Sequence, residues 1–195
     1  MPPTIRLATV DDAEAVRTIY APSILESAAS FEVEVPSVEE MGRRITSVLQ
    51  YYPWVVYEDE SGRVVGYAYA SRHSERAAYG WSVNTTVYVD AGLHRRGIGR
   101  ALYTSLLALL RLQGYYNAYG GITLPNDASV GLHKALGYEL VGIYKNVGFK
   151  FGAWHDVSYW GQELKPPSTD VESPLAPSQL KGTPEWQHAL DHGLS

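Results

Sequence analysis

Cysteine is absent from this 195-residue sequence. Disulfides, thiolate metal sites and a cysteine nucleophile are therefore excluded. Long apolar runs are missing as well, so no segment suits a bilayer span, and the N-terminus lacks the charged-then-apolar pattern of a signal peptide. A cytoplasmic protein with no membrane partner is the matching expectation. Basic excess is also lacking: sixteen Lys and Arg stand against twenty-one Asp and Glu, a net charge of −5. Residues 166–195 hold one Lys and four of those acids, which leaves the rest of the chain near −2. With no basic face, nucleic acid is not an expected partner. Metal-ligand spacing is missing among the six histidines: His188 and His192 stand four apart but lack a third ligand. Neither a Walker loop nor a GxGxxG dinucleotide fingerprint occurs.

What is present centres on Val83 to Leu110, VNTTVYVDAGLHRRGIGRALYTSLLALL. Val83, Thr85, Val87 and Val89 alternate with Asn84, Thr86, Tyr88 and Asp90, as in a strand rich in β-branched residues. From Gly99 the period changes. Leu102, Leu106, Leu109 and Leu110 recur at helical spacing. Between strand and helix lies the basic, glycine-bearing turn His94-Arg95-Arg96-Gly97-Ile98-Gly99-Arg100. A helix N-terminus carries N–H groups without intrahelical partners and a partial positive charge, and glycines admit a ligand close to the backbone. Taken alone, the turn is either a phosphate or pyrophosphate cradle or a helix start with solvated arginines.

The other elements follow in order. Ile5 to Leu7 reads as a strand. A capped helix carries Ala13, Val16, Ile19 and Tyr20 and is bent or ended by Pro22. Residues 30–34 are extended. Ser37 and Glu40 form a capping-box pattern that opens a second helix through Met41, Ile45 and Leu49. Pro53 to Tyr57 and Val64 to Ala70 make a hairpin about Asp59-Glu60-Ser61-Gly62, and a polar loop runs from Arg72 to Tyr79. After the long helix come a strand at Tyr119 to Leu124, a short helix at Ala128 to Ala135 stopped by Gly137, and strands at Tyr138 to Tyr144 and Trp154 to Glu163. The expected fold is α/β (α+β), a mixed sheet with helices on both faces. Residues 1–165 are the expected domain. Residues 166–195, with five prolines among Ser and Thr, are expected to be a flexible tail.

The segment YVDAGLHRRGIGRALY resembles the acetyl-CoA motif of the GNAT acyltransferases, (Gln/Arg)-x-x-Gly-x-(Gly/Ala), which falls on His94 to Gly99, with His94 in the place of Gln or Arg. A second segment, TLPNDASVGLHKALGY, resembles that family's other cofactor stretch. Asn126 matches its Asn, and His133 stands where a catalytic tyrosine or histidine is found. Further landmarks resemble the phosphinothricin and methionine sulfoximine acetyltransferases: Ser30-Phe31-Glu32, Tyr52-Pro53-Trp54, Tyr79 with Trp81, Gly148 to Gly152, and Trp154-His155-Asp156-Val157. The similarity spans roughly residues 5–163.

That resemblance implies a seven-stranded sheet whose central strands splay to admit acetyl-CoA. It implies N-acetyl transfer to a small amino-acid-like amine, with no metal, in a homodimer. It places the cofactor on Val87, Tyr88, Val89, Arg95, Arg96, Gly97, Ile98, Gly99, Arg100 and Asn126. It places the acceptor on Phe31, Ala77, Ala78, Tyr79, Asn84, Thr85 and Thr86. One departure stands out. The phosphinothricin enzymes carry a glutamate base where this chain has Asn84, and an amide takes up no proton. The catalytic positions are thus His133 and Asn84, with Glu32 and Glu34 as substitute carboxylates and Arg72 and Arg76 as partners for an acceptor carboxylate. The competing expectation is a CoA-binding regulatory domain with little catalysis.

Overall fold

A computed structural model describes residues 2–194. Seven strands form one sheet in the order β1-β2-β3-β4-β5-β7-β6. They are β1 (Thr4–Leu7), β2 (Trp54–Glu58), β3 (Val64–Arg72), β4 (Ser82–Val89), β5 (Asn117–Thr123), β6 (Glu139–Lys150) and β7 (Ala153–Glu163). The pair β4–β5 is parallel and every other pair is antiparallel. Six helices accompany them: α1 (Ala13–Leu25), α2 (Val38–Leu49), α3 (Ile98–Gln113), α4 (Asp127–Ala135), α5 (Pro177–Leu180) and α6 (Pro184–Asp191).

Strand alternation builds two cores from one sheet. Val55 and Val56 are neighbours in β2, yet Val55 packs with the α3 leucines and Val56 with Val16, Ile19, Met41 and Ile45 of α1 and α2. Helices therefore cover both faces. The chain punctuation acts largely as its residues suggest. Ser37 Oγ accepts the Glu40 N–H at 3.1 Å to cap α2, although the Glu40 carboxylate turns to Arg44 (3.0 Å) rather than back to the cap. Gly114 and Gly137 leave α3 and α4 in the left-handed conformation, φ 98° and 88°. Pro22, expected to bend or end the first helix, lies inside α1, which continues to Leu25.

The C-terminal segment differs from the sequence expectation. Helix α6 and the turn that follows it dock on α3 rather than standing loose. Trp186, Ala189 and Leu190 are buried in the same core as Leu102 and Leu106. Ser105 Oγ donates to Leu190 O at 2.6 Å and accepts from Gly193 N at 3.1 Å. Gln113 Nε2 donates to Leu175 O at 2.6 Å, and Leu175 N donates to Gln113 O at 2.8 Å. A few apolar side chains placed at helical spacing anchor a stretch whose average composition is polar. No helix among the described residues is long and apolar enough to cross a membrane.

Candidate active site

The site begins where β4 and β5 part. Their ladder holds only Ser82↔Asn117, Val83↔Ala118 and Asn84↔Tyr119. Beyond that point β4 remains paired to β3 as far as Val89, while β5 pairs with β7 as far as Thr123, so each strand keeps one partner and a V-shaped gap opens between them. Thr85 sits at the apex. Its Oγ1 donates to Tyr119 O at 3.2 Å, replacing a ladder bond at the first unpaired position, and the Tyr138 hydroxyl lies 2.8 Å from the same oxygen.

One face of the gap belongs to the cofactor-type residues. The turn after β4 has Arg95 and Gly97 at positive φ, 62° and 82°, just ahead of α3, a backbone form that can present N–H groups to an anion. Gly97 is the N-cap of α3, and a Cβ built on it meets nothing within 4 Å. That is open space over a helix N-terminus, flanked by the exposed side chains of Arg95, Arg96 and Arg100. Ile98 is buried and anchors the turn, and a Cβ on Gly99 would lie 3.4 Å from Leu132 of α4 and 3.7 Å from Val89. The turn, α4 and the end of β4 thus converge. His94, in the place of the usual Gln or Arg, has Nε2 3.1 Å from Val89 O. Asn126 caps α4, its Oδ1 accepting from Ser129 N at 3.1 Å. These residues fit a pyrophosphate and the polar arm attached to it.

His133 lies on this same face and is 3% exposed. Its Nδ1–H donates to Ser129 O at 2.8 Å, which leaves Nε2 as the acceptor for the Tyr103 hydroxyl at 3.3 Å. Nε2 also packs on Gly120, where a Cβ would come within 2.6 Å. Both ring nitrogens are engaged, and burial holds the imidazole below its ordinary value. Burial pushes the phenols of Tyr103 and Tyr138 up, so both remain protonated donors. His133 is therefore enclosed with both ring nitrogens engaged, which leaves neither free for an acceptor amine. A consequence follows for stability. In the unfolded chain an imidazole titrates near ~6.5. Between that value and the lower folded one, only the unfolded state takes up the proton. His133 thus contributes stability that is fully present above pH ~6.5 and is lost as pH falls toward the folded value. Thermal melts at pH 7.5 and 5.5 should show a drop for the parent and a smaller drop for His133→Gln. Equal drops would place the imidazole in contact with solvent.

The opposite face carries the acceptor-type residues. Alternation puts Asn84, Thr86 and Tyr88 there, and it separates Thr85 from its two neighbours: Thr85 is buried on the α3 side and does not join them. Tyr88 packs edge-on to Tyr20, ring centroids 4.8 Å apart. Phe31 is 39% exposed, its ring lying over Gly148 and 6.2 Å from the His155 ring. Lys150 pins this loop, donating to Ser30 O at 2.6 Å and Ser27 O at 3.1 Å. Ala77, Ala78 and Tyr79 form an exposed helical turn.

A cavity of about 360 Å³ lies beside them, lined by Tyr20, Glu32, Arg44, Trp54, Tyr67 and Tyr69. Glu32 is held by Arg44, at 2.7 and 3.2 Å, and by the Tyr20 hydroxyl at 3.0 Å. Glu34 is exposed. Arg72 is exposed and paired with Glu75 at 2.8 Å, and Arg76 is exposed, while the arginines that line the cavity are Arg43 and Arg44. Sequence patterning did not single out Arg44. Its only signal was the i, i+4 spacing to Glu40. The Trp54 indole N–H is buried without a hydrogen-bond partner among the described residues. His155 Nε2 lies 3.0 Å from Lys150 O, and Asp156 pairs with Lys145 at 2.7 Å, so both serve the β6–β7 hairpin. Among the described residues no group of three His, Asp or Glu is placed to hold a metal.

A parallel pair that splays at the head of a glycine-turn helix is an architecture this chain shares with known acetyltransferases. A family model described as acetyltransferase (GNAT) domain matches residues 5–159. The chain is 41% identical to a phosphinothricin N-acetyltransferase of Streptomyces viridochromogenes over 86% of its own length and 91% of the relative's. It is 32% identical to an L-methionine sulfoximine/L-methionine sulfone acetyltransferase of Pseudomonas aeruginosa, covering 85% and 97%. A crystal structure of a phosphinothricin acetyltransferase from Sinorhizobium meliloti in complex with AcCoA superimposes with TM-score 0.82 at 35% identity, covering 88% of this chain and 96% of that one. The chain belongs to the GNAT acetyltransferase family, and it is an N-acetyltransferase.

Proposed function

We propose that this enzyme transfers acetyl from acetyl-CoA to the α-amine of a small amino-acid-like acceptor such as phosphinothricin or methionine sulfoximine, by direct attack in a ternary complex. The observation that carries the reading is the gap beyond Asn84↔Tyr119, with a glycine-turn helix start on one face and an aromatic-walled cavity holding paired charges on the other. The relatives' names supply the acceptor class. In this reading the acyl carbonyl lies in the gap, where the free edge of β4 offers backbone donors to a developing oxyanion. The thiol side belongs to Tyr103 and His133. The acceptor side belongs to Asn84, Thr86, Phe31 and the Ala77 to Tyr79 turn. The unpartnered Trp54 N–H is the group of the cavity that would answer a carboxylate or phosphinate oxygen, since Arg44 is already committed to Glu32 and Glu40.

The test is thiol release from acetyl-CoA across phosphinothricin, methionine sulfoximine, methionine sulfone and glutamate. Saturable release with at least one is expected. Tight acetyl-CoA binding with no release for any would instead support the second reading, a CoA-binding regulatory domain, which Asn84 in place of a carboxylate favours.

The assembly we propose is a homodimer through the β6–β7 hairpin. β6 is an edge strand, yet Val141, Tyr144 and Phe149 on it, with Trp154 on the adjoining β7, expose 59–66% of their surface. Large exposed apolar side chains along an edge strand invite a partner. Sedimentation should give twice the 21.6 kDa chain mass at micromolar concentration, and Val141→Lys with Phe149→Lys should give single chains. A parent that sediments as single chains sinks the assignment.

A further inference from the structure

The loop between β3 and β4 holds a titratable side chain that the sequence pattern passed over. His73 follows directly on β3, and its Nδ1 lies 3.0 Å from Asn84 Oδ1. The Asn84 amide is oriented by a second bond: its Nδ2 donates to Arg72 O at 3.2 Å. The oxygen therefore faces the imidazole and can only accept, so the neutral ring carries its proton on Nδ1 and the lone pair on Nε2. Nε2 has no hydrogen-bond partner among the described residues. Two aromatic rings fix the ring plane. Tyr119 lies 4.7 Å away by centroid and Tyr79 5.6 Å.

The location matters as much as the chemistry. Asn84 and Tyr119 form the last pair of the β4–β5 ladder, so a ring held by both stands at the mouth of the gap. It is also on the Asn84 and Thr86 face, across the sheet from His133. The one position in β4 that lacks the expected carboxylate is thus occupied by an amide that aims an imidazole.

The geometry points to His73 as the group that takes the proton from the acceptor amine, with Asn84 as its positioning residue. The inference rests on the acetyl-transfer reading above. In the step, the amine nitrogen forms a bond to the acyl carbon, its N–H proton passes to His73 Nε2, directly or through one water, and the C–S bond breaks to release CoA thiolate, which is then protonated. Asn84 Oδ1 accepts from Nδ1–H throughout and stabilises the imidazolium as it forms. An asparagine cannot act as the base, but it fixes a tautomer and a ring orientation. That is the requirement for a neutral histidine base.

The experiment compares His73→Ala and His73→Gln with the parent, using acetyl-CoA and the best acceptor of the panel. Both variants should lose roughly 10²–10⁴-fold in kcat, with acetyl-CoA affinity and melting temperature unchanged. Gln keeps a donor for Asn84, so an equal loss in His73→Gln separates proton transfer from loop packing. Added imidazole should restore part of the rate to His73→Ala and none to His73→Gln, which fills the space. The acidic limb of the kcat/KM profile should disappear in both. The charged and titratable groups around the ring are Tyr79, Tyr119 and the Arg72–Glu75 pair, and Asn84 carries no charge. Asn84→Ala should lower kcat by less than His73→Gln does, because the imidazole keeps its basic nitrogen and loses only the acceptor that orients it. Parent-like rates in His73→Gln, or an unchanged acidic limb, would overturn the assignment. Hydrolysis of acetyl-CoA without any amine gives a reading that does not depend on the acceptor, since the same base activates water. If no amine of the panel is acetylated, the functional reading fails by itself, and a hydrolysis rate equal in parent and His73→Gln would still refute the role of His73.

Discussion

Trp186→Ala is expected to cost about 3–5 kcal/mol, the range for removing a large aromatic from a packed core. Trp186 is 2% exposed and shares its core with the α3 leucines. Its helix is built to hold it there. Thr183 Oγ1 accepts the Trp186 N–H at 3.2 Å, and Pro184 occupies the first turn, where no N–H is needed. Domains of this kind hold only ~5–15 kcal/mol in all, so a single truncation here removes a large share. For a chain of this size the melting temperature should fall by roughly 6–20 °C. His188, exposed on the same helix, serves as the control, and His188→Ala should change stability by no more than ~0.5 kcal/mol. A Trp186→Ala protein that melts with the parent would show the C-terminal helices undocked in solution.

Gly97→Val should weaken acetyl-CoA binding at least tenfold, which is about 1.4 kcal/mol or more. Gly97 has φ 82° at the N-cap of α3. A β-branched residue is a poor occupant of that region, so the first turn of α3 must shift or hold strain. Any shift turns the N–H groups there away from a bound pyrophosphate. The open space above the Cα would also be filled by the isopropyl group, where close approach of the ligand is needed. Calorimetric titration of acetyl-CoA into parent and variant measures the difference, with thermal melts confirming a folded variant. Parent-like affinity would move the phosphate site elsewhere.

Much of this molecule is legible in its sequence because local physics writes it there. Alternation gives β4, leucine spacing gives α3, and the glycines at 97, 114 and 137 mark a helix start and two helix stops, all of which the structure bears out. The strand–turn–helix around Gly97 is contiguous in the chain, so its local geometry could be read from residue order. The docking of α6 was less visible, but a trace existed. Leu107 lies off the main leucine stripe of α3 and is buried like the rest, so the helix needs cover on more than one side. A proline-rich average over 166–195 concealed the three residues that supply it.

Other features depended on long-range placement that no spacing reveals. That His133 is enclosed follows from Tyr103, thirty residues away, and from the missing side chain at Gly120. That Thr85 turns its back on Asn84 and Thr86 follows from the pleat, but which face meets the acceptor depends on where α3 and α4 pack. Arg44 lines the cavity because Glu32 bonds to it from a separate loop. His73 became visible only through Asn84 and Tyr119, which lie eleven and forty-six positions along the chain. The sequence by itself determined most of the elements, the strand–turn–helix around Gly97 and the family resemblance, because each rests on residues close together in the chain. Tertiary structure alone decided which histidine is buried and which stands at the gap, because burial and hydrogen-bond partners are properties of packed elements and not of their order.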